Sequence, residues 1–420
     1  MNSAKRGIPM LLDKGVAAAK PIVVLGDVKR VYLPLSYGDQ RRCRPVVKDF
    51  DTVMAGSVLA EPIDLDDVPL ISSVTGVVAG MSEMFHPLYG QLTCSAIDAM
   101  LFESPTDPVT PTMPEDVDAD TIMKCCKQAG IVDELDGVQL HLKLADWAAT
   151  GTTPCLIADA TEPEPFQSSA YAVLRAHSKP VQFGLRLAAL AAGIPATRIA
   201  LQTSYSRGRK LAERFDPNDI HSIRRRRYPL FDKEPAEYRG QCGFIGVQAC
   251  LALYRAVTDG TPQTSTVITV TGDAIDEPRN LLVPFGTPIE AALQACGVDK
   301  TVGLLLLGDA LSGVEITDRS LPILPGMTCL LAFSDPIKKR MRSCIGCGQC
   351  AAVCHKGLLP YEIARRYENL QYERLSALEP QECDACAACS AVCPAHRPLV
   401  QTVQQAAHSM GTIFVDWGDE

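Results

Sequence analysis

Hydrophobic and polar positions change their period several times along the chain. Between residues 30 and 103, short apolar runs broken by turn residues, as in "RPVVKDFDTVMAGSVLAEP" and "PLISSVTGVVAGM", predict β-strands. From 119 to 258, helical spacing in "ADTIMKCCKQAGIV", "SSAYAVLRAHSKPVQFGLRLAALAAG" and "GFIGVQACLALYRAVTDG" alternates with the short runs "CLIAD" and "RIALQ". That alternation predicts helices laid on a parallel sheet. Residues 265 to 335 return to short strands around one helix, in "STVITVTGDAIDEPRNLLVPFGTPIEAALQACGV", "TVGLLLLGDALSG" and "LPILPGMTCLLAF". Beyond 340, Leu359, Ile363, Tyr367 and Leu370 fall at helical spacing, with Pro360 near the start of the stretch and Pro380 near its end.

The expected fold class is therefore a multidomain mixture of α/β and β. It comprises a biotinyl- or lipoyl-like barrel-sandwich hybrid at 30–103, an α/β domain at 119–258, a β-grasp module at 265–335 and an α-helical dicluster segment at 340–408. A carrier domain of the first type presents a lysine at its hairpin tip. Here "SSVTGVV" offers Val74 and Thr75 there, which predicts a structural or docking role.

Charge and hydropathy narrow the setting. The 420 residues carry a net charge of -9, which argues against nucleic acid as a partner because phosphate binding needs clustered Lys and Arg. The run Arg224 to Arg227 is the exception: it is either a steering patch for an acidic redox partner, a phosphate contact, or a solvated loop. No stretch reaches eighteen apolar residues and the start lacks a leader pattern. We expect a cytoplasmic protein with no transmembrane segment, peripheral membrane association being left open.

Cysteine usage sharpens the picture most. Eight of seventeen cysteines lie between Cys344 and Cys393, in two C-x-x-C-x-x-C-x-x-x-C runs. In a reducing compartment such clustering points to metal rather than to disulfides. Three closely spaced thiolates grip one cubane while the fourth of each run ligates the other. On that pattern Cys344, Cys347, Cys350 and Cys393 hold one 4Fe-4S cluster, and Cys383, Cys386, Cys389 and Cys354 the second. Structural zinc prefers two separated ligand pairs. Pro394 follows the second run, whereas His355 follows the first and brings an imidazole toward the second cluster. The other nine cysteines read as buried thiols, with Cys242 in "RGQCGF" the least implausible nucleophile.

Four stretches carry a family resemblance: "RPVVKDFDTVMAGSVLAEPI" with "ISSVTGVV", "TEPEPF", "ITVTGDAIDEPRNLLVPFGTPI", and the dicluster tail ending "CPAHRPLVQ". Over roughly residues 30 to 408 the chain resembles the C subunit of the Rnf electron-transport complex and its soluble relatives. The resemblance implies that the α/β domain is related to the flavoprotein subunit of respiratory complex I, which binds FMN and NADH, and that the β-grasp module is of the soluble-ligand-binding type. It also implies two 4Fe-4S clusters. Family members carry a loop resembling G-L-G-G-A-G-F-P-T after "AGIV", but here "DELDGVQLHLKL" follows and only Gly137 remains. Asp133, Glu134 and Asp136 set negative charge where an FMN phosphate would sit. The loop resembling Y-P-Q-G-G-E-K keeps only Tyr228 and Pro229. Glu162, Glu164 and Phe166, with Pro165, remain as the remnant of the flavin and NADH site, so FMN and NADH are both doubtful cofactors. The implied function is a single-electron relay between a flavoenzyme or ferredoxin and a partner reductase, within an oxidoreductase complex. The alternatives are an FMN-dependent NADH dehydrogenase subunit and a scaffold with structural clusters.

Overall fold

The computed structural model describes residues 7–415 apart from 10–13, 15, 27, 37–41, 65, 88, 106–109, 115, 225, 226, 230–232, 299, 300 and 336–339. Two small antiparallel sheets form first. One runs in the order Arg30–Pro34, Gly90–Leu101, Thr75–His86, Thr52–Val53, the other Cys43–Pro45, Val58–Pro62, Leu70–Ile71. They enclose Val31, Leu33, Leu59, Val74 and Ile97. The ribbon of Thr75–His86 on Gly90–Leu101 is twelve residues long on each side and outruns this small core. Its far part carries Leu92 and Cys94 into the core of a neighbouring sheet.

That geometry corrects one expectation. The hairpin tip lies between His86 and Gly90, and Val74 is fully buried instead of displayed. Ser73 beside it donates its hydroxyl to the Phe285 carbonyl at 2.6 Å, and Thr75 Oγ1 accepts the Ala55 N–H at 3.1 Å. The turn is held by docking contacts.

The α/β region has a parallel sheet in the order Ile220–Ile223, Ala196–Gln202, Cys155–Ala160, Cys242–Gly246. Helices cover it, so all six residues of Cys155–Ala160 are buried and the sequence there reads as a continuous apolar run with one acid. The largest core lies here, between the sheet and the helices Ser178–Ala191 and Val247–Asp259.

A fourth sheet has six strands, in the order Val314–Glu315, Leu304–Leu307, Cys329–Phe333, Ser265–Thr271, Arg279–Pro284, Val23–Val24, with the helix Ile289–Ala295 packed into its core. Its last strand comes from ahead of residue 30, where a two-residue element leaves no periodicity to read.

The tail packs Pro360–Glu368 against Leu399–Val415 through Ile363, Val403 and Ala406. The helix stops before Leu370, which has φ 56° and is 71% exposed, so the fourth residue of the expected apolar face lies outside it. Three short 3-10 turns replace the remainder. The tail is joined to the body by the Gly7 N–H on the Val353 carbonyl at 3.0 Å, by Ile8–Pro9 pairing with Arg227–Tyr228, and by Leu311 against its apolar core. No helix among the described residues is long and apolar enough to cross a membrane.

Candidate metal centres and a bonded acidic cluster

The eight tail cysteines sort into two hollows. Cys344, Cys347, Cys350 and Cys393 line one, with Ile345, Tyr361 and Leu399. Cys354, Cys383, Cys386 and Cys389 line the other, with Leu358, Val400 and Val403. The exchange of the fourth cysteine follows from local structure: the short helix Gln349–Val353 advances about 1.5 Å per residue and carries Cys354 away from its own triplet.

Both triplets wind through the same backbone shape. Gly346 and Gly348 have φ of 69° and 72°, and the equivalent Ala385 and Ala387 have 58° and 56°. Alanine bears this left-handed conformation at a cost of about 1–2 kcal/mol per residue, so the turn is imposed by the site rather than by local preference. The Gly346 N–H points to Cys344 Sγ at 3.4 Å. Burial pushes the Cys386 and Cys389 thiols up to about 12 and raises Cys350 and Cys383. Ligation therefore releases protons. Four soft sulfur donors in an apolar wall suit an iron-sulfur cluster, and such a cluster supplies one-electron chemistry when bound.

The two hollows differ in their surroundings. Residues 341–347, including Cys344 and Cys347, are all exposed, whereas the second set is buried or half-buried. His355 reaches this second hollow, its Nε2 2.6 Å from an Asp384 carboxylate oxygen and its Nδ1 4.0 Å from Cys386 Sγ. Burial opposes the Asp384 charge, yet the His355 contact holds its carboxyl below the ordinary range. The sequence placed His355 here but missed Asp384, whose signal was an acid directly after Cys383.

In the α/β region, charge is closed on itself. Glu162 caps the helix Ser169–Ala176, accepting the Ala170 N–H at 2.7 Å, and meets Lys14 Nζ at 3.4 Å. Glu164 accepts the Tyr228 hydroxyl at 2.9 Å and the Leu311 N–H at 2.7 Å. Burial first, then the neighbouring Glu164 carboxylate, raises the Tyr228 phenol. Phe166, at φ 78°, sets its ring edge-on to Phe333. Glu162, Glu164 and Phe166 are thus each held by the chain's own groups.

The "DELD" stretch behaves likewise. Asp133 is fully buried and takes the Gly246 N–H at 2.9 Å and Lys143 Nζ at 2.5 Å; Lys143 also reaches Asp136 at 2.7 Å. Glu134 accepts the Gln248 and Ala249 N–H groups at 2.6 and 3.0 Å. The expected pile-up of like charge is offset by Lys143 and main-chain donors. A Cβ on Gly246 would stand 2.0 Å from the Glu134 carboxyl carbon, so glycine here admits a carboxyl of the chain itself. This loop does not fit a flavin phosphate.

Burial pushes the Cys242 thiol up to about 12, which disfavours a thiolate there, and its Sγ lies 3.5 Å from the Tyr238 carbonyl. Of the basic run, Arg225 and Arg226 lie outside the described residues, as do residues 230–232 of the loop after Pro229.

Comparison with known proteins finds matches at both ends of the chain. The family model for the RnfC barrel sandwich hybrid domain matches residues 2–99, and that for the 4Fe-4S dicluster domain matches 343–396. The C subunit of the Na+-translocating ferredoxin:NAD+ oxidoreductase complex of Acetobacterium woodii is 26% identical over 96% of both chains. The C subunit of the proton-translocating ferredoxin:NAD+ oxidoreductase complex of Clostridium ljungdahlii is 23% identical over 86% of this chain and 83% of its own. An NAD+-reducing NiFe hydrogenase superposes with a TM-score of 0.47 at 14% identity, over 74% of this chain and 70% of its own, too loosely to bear on function. Across nearly its whole length the chain is RnfC-like, with a barrel-sandwich hybrid at one end and a 4Fe-4S dicluster domain at the other.

Proposed function

We propose that the protein relays single electrons through two 4Fe-4S clusters between a flavoenzyme or ferredoxin and a partner reductase, as a member of an oxidoreductase complex working in the cytoplasm. The observation that carries this reading is the sorting of eight cysteines into two four-thiol hollows. Cys344, Cys347, Cys350 and Cys393 would hold one cluster and Cys383, Cys386, Cys389 and Cys354 the other.

Exposure gives the relay a direction in space. The first cluster, under Cys344 and Cys347, is the one an external redox protein reaches, and Arg340 and Arg342 beside it favour an acidic partner. The second sits toward the body of the protein. The division into a barrel-sandwich hybrid (30–103), a flavoprotein-like α/β unit (119–258), a β-grasp unit of soluble-ligand-binding type (265–335) and a dicluster unit (340–408) belongs to the same proposal. On it the α/β unit is a scaffold. Glu162, Glu164 and Phe166 line its old cofactor wall without flavin or nicotinamide chemistry of their own.

The test is composition and reducibility. The anaerobically purified protein is expected to contain about eight iron atoms per chain, two cubanes by the ligation rule, little or no FMN, and a spectrum bleached by dithionite. Stoichiometric acid-releasable FMN would restore the dehydrogenase reading, and clusters that resist reduction would make them structural.

A further inference from the structure

Nine cysteines lie outside the dicluster tail, and two of them meet across the parallel sheet of the α/β region. Cys155 opens the strand Cys155–Ala160, and Cys242 opens Cys242–Gly246, the outer strand beside it; the register sets the two residues directly opposite one another. Partners in a parallel pair send their side chains to the same face. Here that face is the smaller apolar one, where Cys155 is buried with Ile157 and Ile223 and Cys242 packs against them. The two thiols are in hydrogen-bonding contact with each other.

Neighbouring strands run about 4.8 Å apart, inside the range of about 4.4–6.8 Å that a disulfide spans between Cα atoms, so the bond asks little movement of the main chain. Access is one-sided. Cys155 is fully buried, whereas Cys242 is half-buried and follows Arg239, Gly240 and Gln241, all exposed. A reagent from solvent therefore meets Cys242 first, and Cys155 stands behind it as the resolving thiol. Burial raises both thiols, which slows the first attack. It also leaves the reduced pair without a stabilised thiolate, which favours the disulfide at equilibrium.

We propose that Cys155 and Cys242 form a reversible dithiol–disulfide pair that staples the outer strand of this sheet to its neighbour, with a small-molecule disulfide as the oxidant. The Cys242 sulfur, on losing its proton to solvent, attacks one sulfur of that disulfide and releases the other half as a thiolate, which takes up a proton. Cys155 then loses its proton and attacks the Cys242 sulfur of the mixed disulfide, releasing the second half in the same way. Two protein thiols become one disulfide while one small disulfide becomes two thiols, so electrons and protons balance. The staple lies at the starting edge of the two strands, away from Asp159 and Gly246 toward the other, and draws on none of the cluster ligands.

Glutathione disulfide is the probe, given anaerobically over hours to the folded full-length protein carrying its clusters. Alkylation of the remaining thiols, proteolysis and mass spectrometry then read the products. The wild type should yield peptides joined through Cys155 and Cys242, separated again by dithiothreitol. Cys155→Ala should stop at glutathione attached to Cys242, and Cys242→Ser should leave Cys155 unmodified; the second variant, at the half-buried position, carries the test should the first not fold. Oxidation should raise the wild-type melting temperature by about 5 °C, through the long loop it closes, and leave both variants unchanged. The inference falls if the joined peptides are absent or form only in denaturant, if glutathione stays on Cys242 in the wild type, or if the oxidised protein melts no higher than the reduced.

Discussion

The dicluster tail and the acidic cluster of the α/β region both gather functional side chains from distant sequence, yet they end in opposite states. In the tail, eight thiols face two hollows, and their main chain is wound into left-handed turns at Gly346, Gly348, Ala385 and Ala387. In the α/β region, Asp133, Glu134, Glu162 and Glu164 each find partners inside the chain. A site that still takes a ligand leaves valences open and bears strain to keep them so. Acids that are closed by whatever donors lie in reach become part of the framework instead.

The strongest way to break the comparison is to remove a thiol. Cys389→Ala should cost the second cluster outright, lowering iron from about eight to about four atoms per chain. It should also loosen the tail helices that Cys389 packs among, read by iron analysis and circular dichroism. Full iron retention would mean that the hollows do not hold the clusters as assigned.

Next in size is the framework role of Glu162. Lys14 and Glu162 are both nearly inaccessible, so Glu162→Ala leaves a buried ammonium without its carboxylate. The expected loss is about 3–5 kcal/mol in denaturant unfolding, mostly recovered when Lys14→Met is added. A loss under about 1 kcal/mol, the size of an exposed pair, would make this contact dispensable.

The smallest effect is a slope with pH. Burial, and then the charge of Asp133, pushes the Glu134 carboxyl up to about 8 from its ordinary 4.5. A raised carboxyl binds its proton more tightly in the folded state, so its contribution to stability is full below about 4.5 and drains away as pH rises through about 8. Asp133, Asp136, Lys143 and Cys250 face the same spot and are shared by wild type and variant. Glu134→Gln should flatten the fall in melting temperature across that range; an unchanged slope would assign it elsewhere.

What the sequence made legible follows the range of the interactions. The cluster ligands were readable because their chemistry is written in spacings of three and four residues. His355 was placed beside the second cluster for the same reason. The "DELD" loop was readable only as charge, since its donors at Gln248 and Ala249 lie more than a hundred residues further on. Repulsion was therefore expected where the chain supplies Lys143 and a helix start. Val23–Val24 was invisible because two residues cannot display a period, and Leu370 was misassigned because apolar spacing continues past the point where the helix stops.

The early segment that clasps the rest bears on how the molecule is made. Ile8–Pro9 pairs with Arg227–Tyr228, Val23–Val24 with Leu281–Leu282, and Gly7 with Val353. During synthesis these residues leave the ribosome long before any of their partners. Ile8–Pro9 and Val23–Val24 wait for the middle of the chain and Gly7 for the cysteine-rich tail itself, so the last of these closures and the loading of iron fall in the same late interval of the protein's assembly.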